Sequence, residues 1–277
     1  MTCSDISEAV SQTTMPALRL DEISIVRGAT QTARALSAEF NAGQVYAILG
    51  PNGTGKSSLL KAIFGELSLS QGRIHYGPHP LSMRHLASWR QRIGYMPQGT
   101  EIDVSLTVLE VVLLGKLDAL HMYVGDELLN EALEIMQQVG IVDLAHRDIQ
   151  TLSGGQRQLA MFCQVLLRDP AIMLLDEPVS ALDMHHQLNL LEQVHQETRQ
   201  RRLITITVLH DLSLAAQFAD QVMLLGEGVL QASGTPHDVL TPERLSPLYG
   251  VAVERLYDSA GIPVIRPLRQ MNRGLVN

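Results

Sequence analysis

What this chain has little of narrows its class before any motif is read. Its two cysteines, Cys3 and Cys163, are too few and too far apart for a disulfide framework or a zinc cluster, so a reducing compartment is expected. Aromatic residues make up only 4% of the 277 residues, so the core must be aliphatic, as in helices packed on a parallel sheet. Positive charge is in deficit. A formal net charge of -8 argues against broad electrostatic binding to nucleic acid, while leaving room for a local basic patch. No apolar run approaches the roughly 18–20 residues that span a bilayer. The opening "MTCSDISEAVSQTTMP" has neither the basic nor the apolar region of a secretion signal. A soluble polypeptide is expected.

What is present reads as an α/β protein. Residues 1–16 are polar and rich in Ser and Thr, and are expected to be disordered. Two β-type runs follow, "LRLDEISIV" and "RALSAEF", and then the buried strand "QVYAILG". Lys56–Gly65 continues as a helix with Leu59, Leu60, Ile63 and Phe64 on one face. Between Gln98 and Ser153 helical patterns replace strands: one helix is expected over Thr107–Leu120 and another over Glu127–Val139. The second has Asp126 as N-cap, Leu129, Leu133 and Met136 on its apolar face, and Gly140 as a stop. "AIMLL" and "LITITVL" are buried strands, "QVMLLGEGVLQASG" is a hairpin, and Thr235-Pro236 and Thr241-Pro242 each open a helix. The expected division is 17–97 and 154–235 as core, 98–153 as an inserted helical subdomain and 236–277 as a C-terminal extension.

Two stretches carry the chemistry. "GPNGTGKS" (Gly50, Pro51, Asn52, Gly53, Thr54, Gly55, Lys56, Ser57, with Ser58 following) is a phosphate-binding loop between strand and helix. Its glycines let backbone amides face a β-phosphate, Lys56 reaches the β- and γ-phosphates, and Ser57 offers a hydroxyl to Mg²⁺. "AIMLLDEP" places Asp176 and Glu177 at the end of a buried strand: Asp176 is expected to act on Mg²⁺ through a coordinated water, and Glu177 to polarise the attacking water as general base. A third stretch, "LSGGQRQ", opens another helix on a glycine pair, which again suits an anion. Its helix body also packs inward through Leu159, Phe162, Val165 and Leu166.

In order, the chain shows "GPNGTGKS", "YMPQ", "LSGGQRQ", "MLLDEP", "SALD" and "VLHDL". This set resembles the nucleotide-binding subunit of an ABC transporter, over roughly residues 18–264. The resemblance implies a P-loop NTPase fold with an N-terminal antiparallel β-subdomain, and a head-to-tail homodimer holding two ATP molecules between its subunits. It implies that Gln98 senses Mg²⁺ and the attacking water, that His210 contacts the γ-phosphate, and that Asp183 communicates across the dimer. Ser153, Gly154, Gly155 and Gln156 would meet the ATP held by the other subunit.

Three kinds of ABC protein compete: an importer subunit, an exporter subunit with separate membrane chains, and a soluble ABC ATPase. A single short cassette without membrane spans favours the importer. The C-terminal stretch from "VLHDLSLAAQF" to "GIPVIRPL" is similar to ATPases that serve iron–siderophore, haem and cobalamin importers. The implied partners are integral-membrane permease subunits and, indirectly, a periplasmic substrate-binding protein. The implied location is the cytoplasmic face of the inner membrane. One feature departs from the family pattern: no Phe, Tyr or Trp lies between Ala17 and Glu39, where an adenine-stacking ring is usual. Arg27 falls near that position, either stacking on adenine or standing solvated.

Overall fold

The computed structural model describes residues 15–28, 30–99, 105–119 and 125–269. The expected disorder of the N-terminus therefore falls almost wholly outside the described residues.

The chain builds two sheets around one phosphate loop. Strands β1 (Leu18–Arg27) and β2 (Thr30–Phe40) form a hairpin, followed by β3 (Gln44–Leu49) and helix α1 (Lys56–Phe64). Strands β4 (Gln71–Tyr76) and β5 (His79–Pro80), helix α2 (Leu86–Gln91) and strand β6 (Ile93–Met96) come next. Three helices follow: α3 (Val108–Leu113), α4 (Asp126–Val139) and α5 (Gly154–Leu167). Then come β7 (Ile172–Asp176), α6 (Met184–Gln200), β8 (Ile204–Val208), α7 (Leu212–Phe218), β9 (Gln221–Gly226) and β10 (Val229–Gly234). Helices α8 (Pro236–Val239) and α9 (Pro242–Tyr249) and the hairpin β11 (Val253–Tyr257) and β12 (Pro263–Pro267) complete the described chain.

The larger sheet has the order β10-β9-β3-β8-β7-β6, with every pair parallel except β9 and β10. Its central strands are buried on both faces, as parallel strands must be when helices cover them. Alternation along β3 separates the two sides of the core. Val45, Ala47 and Leu49 pack with α3, α4, α5 and α6, while Tyr46 and Ile48 pack with α1 and the smaller antiparallel sheet. That smaller sheet, β2-β1-β4-β5, covers α1 with Leu18, Leu20, Ile23, Ile25 and Phe40, each at most 1% exposed. The hairpin of β9 and β10 turns through Glu227 and Gly228, both at positive φ, as the tight right-twisted hairpin requires.

Register places the site. Ile48 of β3 pairs with Val208 of β8, which pairs with Asp176 of β7. The residues just beyond this row, Gly50, His210 and Glu177, therefore emerge side by side at the carboxyl ends of the strands, where open α/β sheets bind ligands.

The helix expected over Thr107–Leu120 is much shorter. Thr107 caps α3 in a reciprocal pair with Glu110, but the α-helix ends at Leu113 and continues as a 3₁₀ segment over Leu114–Ala119; Leu120 lies outside the described residues. Gly115 explains the break. A Cβ there would stand 2.4 Å from the Gln164 carbonyl oxygen, so the chain presses directly on α5 at a residue that weakens helices. In α4 the N-cap is Gly125, with Asp126 already helical, because Asp126 and Glu127 serve the positive helix end from within the first turn. Its fully buried seam is Ala132, Ile135 and Met136; Leu129 and Leu133 flank it, partly exposed.

Candidate functional site

The phosphate loop is shaped by close backbone approaches. Gly50 has φ +146, and a Cβ there would lie 2.1 Å from the Leu225 carbonyl oxygen. Gly55 has φ +96, and a Cβ there would lie 2.2 Å from the Thr32 carbonyl oxygen. Gly53 also has positive φ but faces open space. Only glycine takes the first two positions without displacing backbone. Within the loop, the Thr54 hydroxyl donates to the Pro51 carbonyl at 2.9 Å. Lys56 donates its ammonium to the carbonyls of Gly50 at 2.7 Å and Pro51 at 2.9 Å, which fixes it over the loop. Lys56 is 6% exposed. Burial lowers its pKa, and the Glu177 and Asp176 carboxylates oppose that shift. Gly55 caps α1 without a side chain, and no acid stands in the first turn, so the helix start keeps free N–H groups for an anion.

Asp176 closes β7 behind Ser57. The Ser57 hydroxyl donates to Asp176 Oδ1 at 3.1 Å, while Oδ2 is buried with no protein partner. Burial raises the Asp176 pKa, partly offset by the Ser57 hydrogen bond. A hydroxyl and an unsatisfied carboxylate oxygen, with the Gln98 amide nearby in the cavity wall, are hard oxygen donors that fit Mg²⁺ held together with phosphate oxygens. Among the described residues no three His, Cys, Asp or Glu side chains gather into a protein-only metal cage, which such a shared site does not need.

Glu177 follows at φ +54, a left-handed conformation that costs a non-glycine residue about 1–3 kcal/mol. Its Oε1 lies 2.5 Å from His210 Nε2, so the imidazole donates to the carboxylate. Arg27, Asn52, Gly53, Gly55, Lys56, Ser57, Ser58, Gln98, Glu177 and His210 line one cavity of about 480 Å³. Gly50, Pro51 and Thr54 shape the loop without lining it, and Asp176, 1% exposed, sits beneath its floor. Arg27 is exposed at the mouth, and among the described residues no Phe, Tyr or Trp lines the cavity.

The glycine pair of α5 is elsewhere. Ser153, Gly155 and Gln156 line a separate cavity of about 170 Å³ with Asp183 and His186, and none of them reaches the first. Ser153 caps α5: its hydroxyl accepts from the Gln156 N–H at 3.2 Å, and the Gln156 side chain accepts from the Ser153 N–H at 3.1 Å. Gly154 has only Ala181 Cβ near it, at 3.4 Å, and does not line that cavity. Gly155 is cramped, since a Cβ there would come 2.9 Å from Leu182 Cδ2 and 3.1 Å from the Ala181 carbonyl oxygen. Asp183 Oδ1 accepts from the His186 N–H at 3.0 Å and from His186 Nδ1 at 2.8 Å, which holds the Asp183 carboxyl below the usual range.

Comparison with known proteins settles the family. The sequence profile of the ABC transporter family matches residues 33–180. This chain belongs to that family. It is 36% identical over 245 residues to the hemin import ATP-binding protein HmuV of Plesiomonas shigelloides, covering 82% of this chain and 92% of that protein. It is 35% identical over 260 residues to the ferric enterobactin transport ATP-binding protein FepC of Escherichia coli, covering 91% and 94%. A metal-chelate type ABC transporter solved in an inward-facing conformation superposes with TM-score 0.80 at 25% identity, covering 92% of this chain and 98% of that one. The two-sheet ABC fold with its P-loop is thus shared, and the chain is an ATPase of transport.

Three residues of this ABC protein escape sequence reasoning. Thr32 lines the nucleotide cavity from β2 only because the antiparallel sheet folds over α1. The Tyr249 hydroxyl of α9 meets the Gly50 N–H at the base of the phosphate loop, while burial pushes its pKa up to about 12. Gln158 looks like an ordinary helix residue, yet it is buried against the segment after Glu177. None of the three has a local sequence signal, because each acts through a distant contact.

Proposed function

We propose that this chain is the ATP-hydrolysing subunit of an importer and works as a head-to-tail homodimer, peripheral to the cytoplasmic face of the inner membrane. One observation carries the dimer. The Ser153–Gly155 helix end opens on a cavity other than the one above Lys56, so a second copy must supply it to the nucleotide. In this reading the uncapped start of α1 and Lys56 bind the β- and γ-phosphates of ATP. Glu177 accepts a proton from the attacking water, His210 orients Glu177 and meets the γ-phosphate, and the partner's Ser153–Gly155 segment closes over that phosphate. Ser57, Gln98 and Asp176 would hold Mg²⁺ together with phosphate oxygens, and the ion would supply neutralisation of the phosphate charge. Asp183 signals across the interface.

The helical stretch of residues 98–153 is the face offered to permease subunits. A groove of about 250 Å³ between it and the core, lined by Phe64, Arg90, Tyr95 and Gly115 among others, suits a short permease helix. The buried, unpartnered Tyr95 hydroxyl there suits a polar group on that helix. Among the described residues no helix is long and apolar enough to cross a membrane, in keeping with separate permease chains.

The cargo is a metal chelate delivered by a periplasmic binding protein. Haem or a ferric siderophore ranks first because the similar proteins carry those names, with cobalamin next and a free ion such as zinc third. Uptake of labelled haem, ferric siderophore and cobalamin by a deletion strain tests this. Loss of one uptake, restored by the wild-type chain but not by Lys56→Ala, is the expected result. Unchanged uptake of all three together with a defect in drug efflux would overturn it in favour of an exporter.

A further inference from the structure

One side chain joins the helix tip meant for the partner's nucleotide to the loop that carries this chain's own Glu177. Gln158 stands in the second turn of α5 and is 7% exposed. Its Nε2 donates to Ser180 Oγ at 3.0 Å and to the Glu177 carbonyl at 3.4 Å, and its Oε1 accepts from the Ala181 N–H at 3.2 Å. All three bonds land on the turn between Glu177 and Ala181, two residues short of Asp183. That turn also holds Glu177 in its left-handed conformation: the Glu177 carbonyl accepts from the Ser180 N–H at 3.3 Å and from the Ser180 hydroxyl at 3.1 Å. Gly155 packs against the same turn at Ala181 and Leu182. A buried amide with three partners cannot shift without them, because an N–H or carbonyl left unpaired in the interior is costly.

We propose that Gln158 is a positioning residue that couples the two ATP sites. Closure of the partner's nucleotide on Ser153–Gly155 displaces the tip of α5. Gln158 carries that displacement to the Glu177–Ala181 turn, which sets the Glu177 carboxylate over this chain's own nucleotide. Engagement at one site thereby readies the other. The proposal rests on the head-to-tail dimer reading.

The test measures ATPase rate against ATP concentration for the full chain, with thermal melting and monomer ATP affinity recorded alongside. Wild type should show a Hill coefficient approaching about 2, the number of coupled sites. Gln158→Met, similar in size but without hydrogen bonds, should keep ATP affinity within about twofold, lower kcat about tenfold and bring the Hill coefficient near 1. Gln158→Glu keeps an acceptor for the Ala181 N–H and should recover part of the coupling. Ser180→Ala removes two hydrogen bonds at an exposed position, the one from Gln158 and the one to the Glu177 carbonyl, and should give an intermediate Hill coefficient; it decides alone if Gln158→Met fails to fold. A wild-type chain that stays monomeric during turnover overturns the dimer reading and this proposal with it. A dimeric wild type with a Hill coefficient of 1 overturns this proposal alone. So do folded variants that keep the wild-type Hill coefficient, even if kcat falls, since Gln158 would then only hold the loop.

Discussion

The two glycine-rich helix starts, at α1 and at α5, look alike in sequence and differ in almost every physical respect. The α1 start has positive φ at Gly50, Gly53 and Gly55 and no side-chain cap, so its amides are bare before any ligand arrives. The α5 start has ordinary φ at Gly154 and Gly155 and a reciprocal cap between Ser153 and Gln156. The first is a row of free amides that suits an anion, set by glycine conformations that other residues rarely adopt. The second is a capped helix end whose tip, among the described residues, lines a cavity other than the one above Lys56. Glycine at 155 serves a packing need inside the molecule, against Ala181 and Leu182, while glycine at 154 faces nearly open space. A motif of small residues therefore has two causes, and only one of them points outward.

The largest expected effect separates chemistry from binding at the α1 end. Glu177→Gln should cut turnover by about 10²–10⁴-fold, the usual worth of general-base help, with ATP affinity unchanged. A rate within a few-fold of wild type would remove Glu177 from its role. Chelating Mg²⁺ with EDTA should likewise stop turnover of the wild type, and a variant lacking the Asp176 carboxylate, Asp176→Asn, should need far more Mg²⁺ for the same rate.

Next come the glycines, which sharpen the comparison directly. Gly55→Ala should destabilise by at least about 1–3 kcal/mol, because φ +96 and a carbonyl oxygen at 2.2 Å leave no room for a methyl group. Gly154→Ala should change stability by less than about 0.5 kcal/mol. Gly155→Ala should fall between, since Leu182 can turn aside but the Ala181 carbonyl cannot. Thermal melts of the three variants decide the order, and equal losses at 55 and 154 would erase the distinction drawn here.

The smallest effect concerns the base. If Arg27 stacks on adenine, Arg27→Ala should raise the ATP dissociation constant several-fold, in line with a contact of about 0.5–2 kcal/mol. No change would leave Arg27 a solvated residue at the cavity mouth. Either way most binding should come from the triphosphate, so GTP should compete well with ATP.

Local pattern and long-range contact divide what the sequence makes legible. The strand before "GPNGTGKS", the acids ending β7 and the capped start of α5 follow from short-range rules of periodicity, capping and turn chemistry. The helix expected over Thr107–Leu120 runs straight through Gly115, because the contact of Gly115 with Gln164, where α3 ends early, depends on how α5 packs. The same holds for Thr32, Tyr249 and Gln158, which act across 20 or more residues of chain, or, for Gln158, across the α5–β7 connection. Register in the parallel sheet brings Gly50, Glu177 and His210 together, and register is a property of the fold rather than of any one segment.

The central claim is that each nucleotide site is completed by the α5 tip of a second copy. Sedimentation of Glu177→Gln with and without ATP, alone and combined with Gly154→Asp, tests it most directly. The account predicts an ATP-dependent dimer for Glu177→Gln, and a monomer for the double variant that still binds ATP with the affinity of the single one. A Glu177→Gln chain that stays monomeric with saturating ATP, or a double variant that still dimerises, would contradict it.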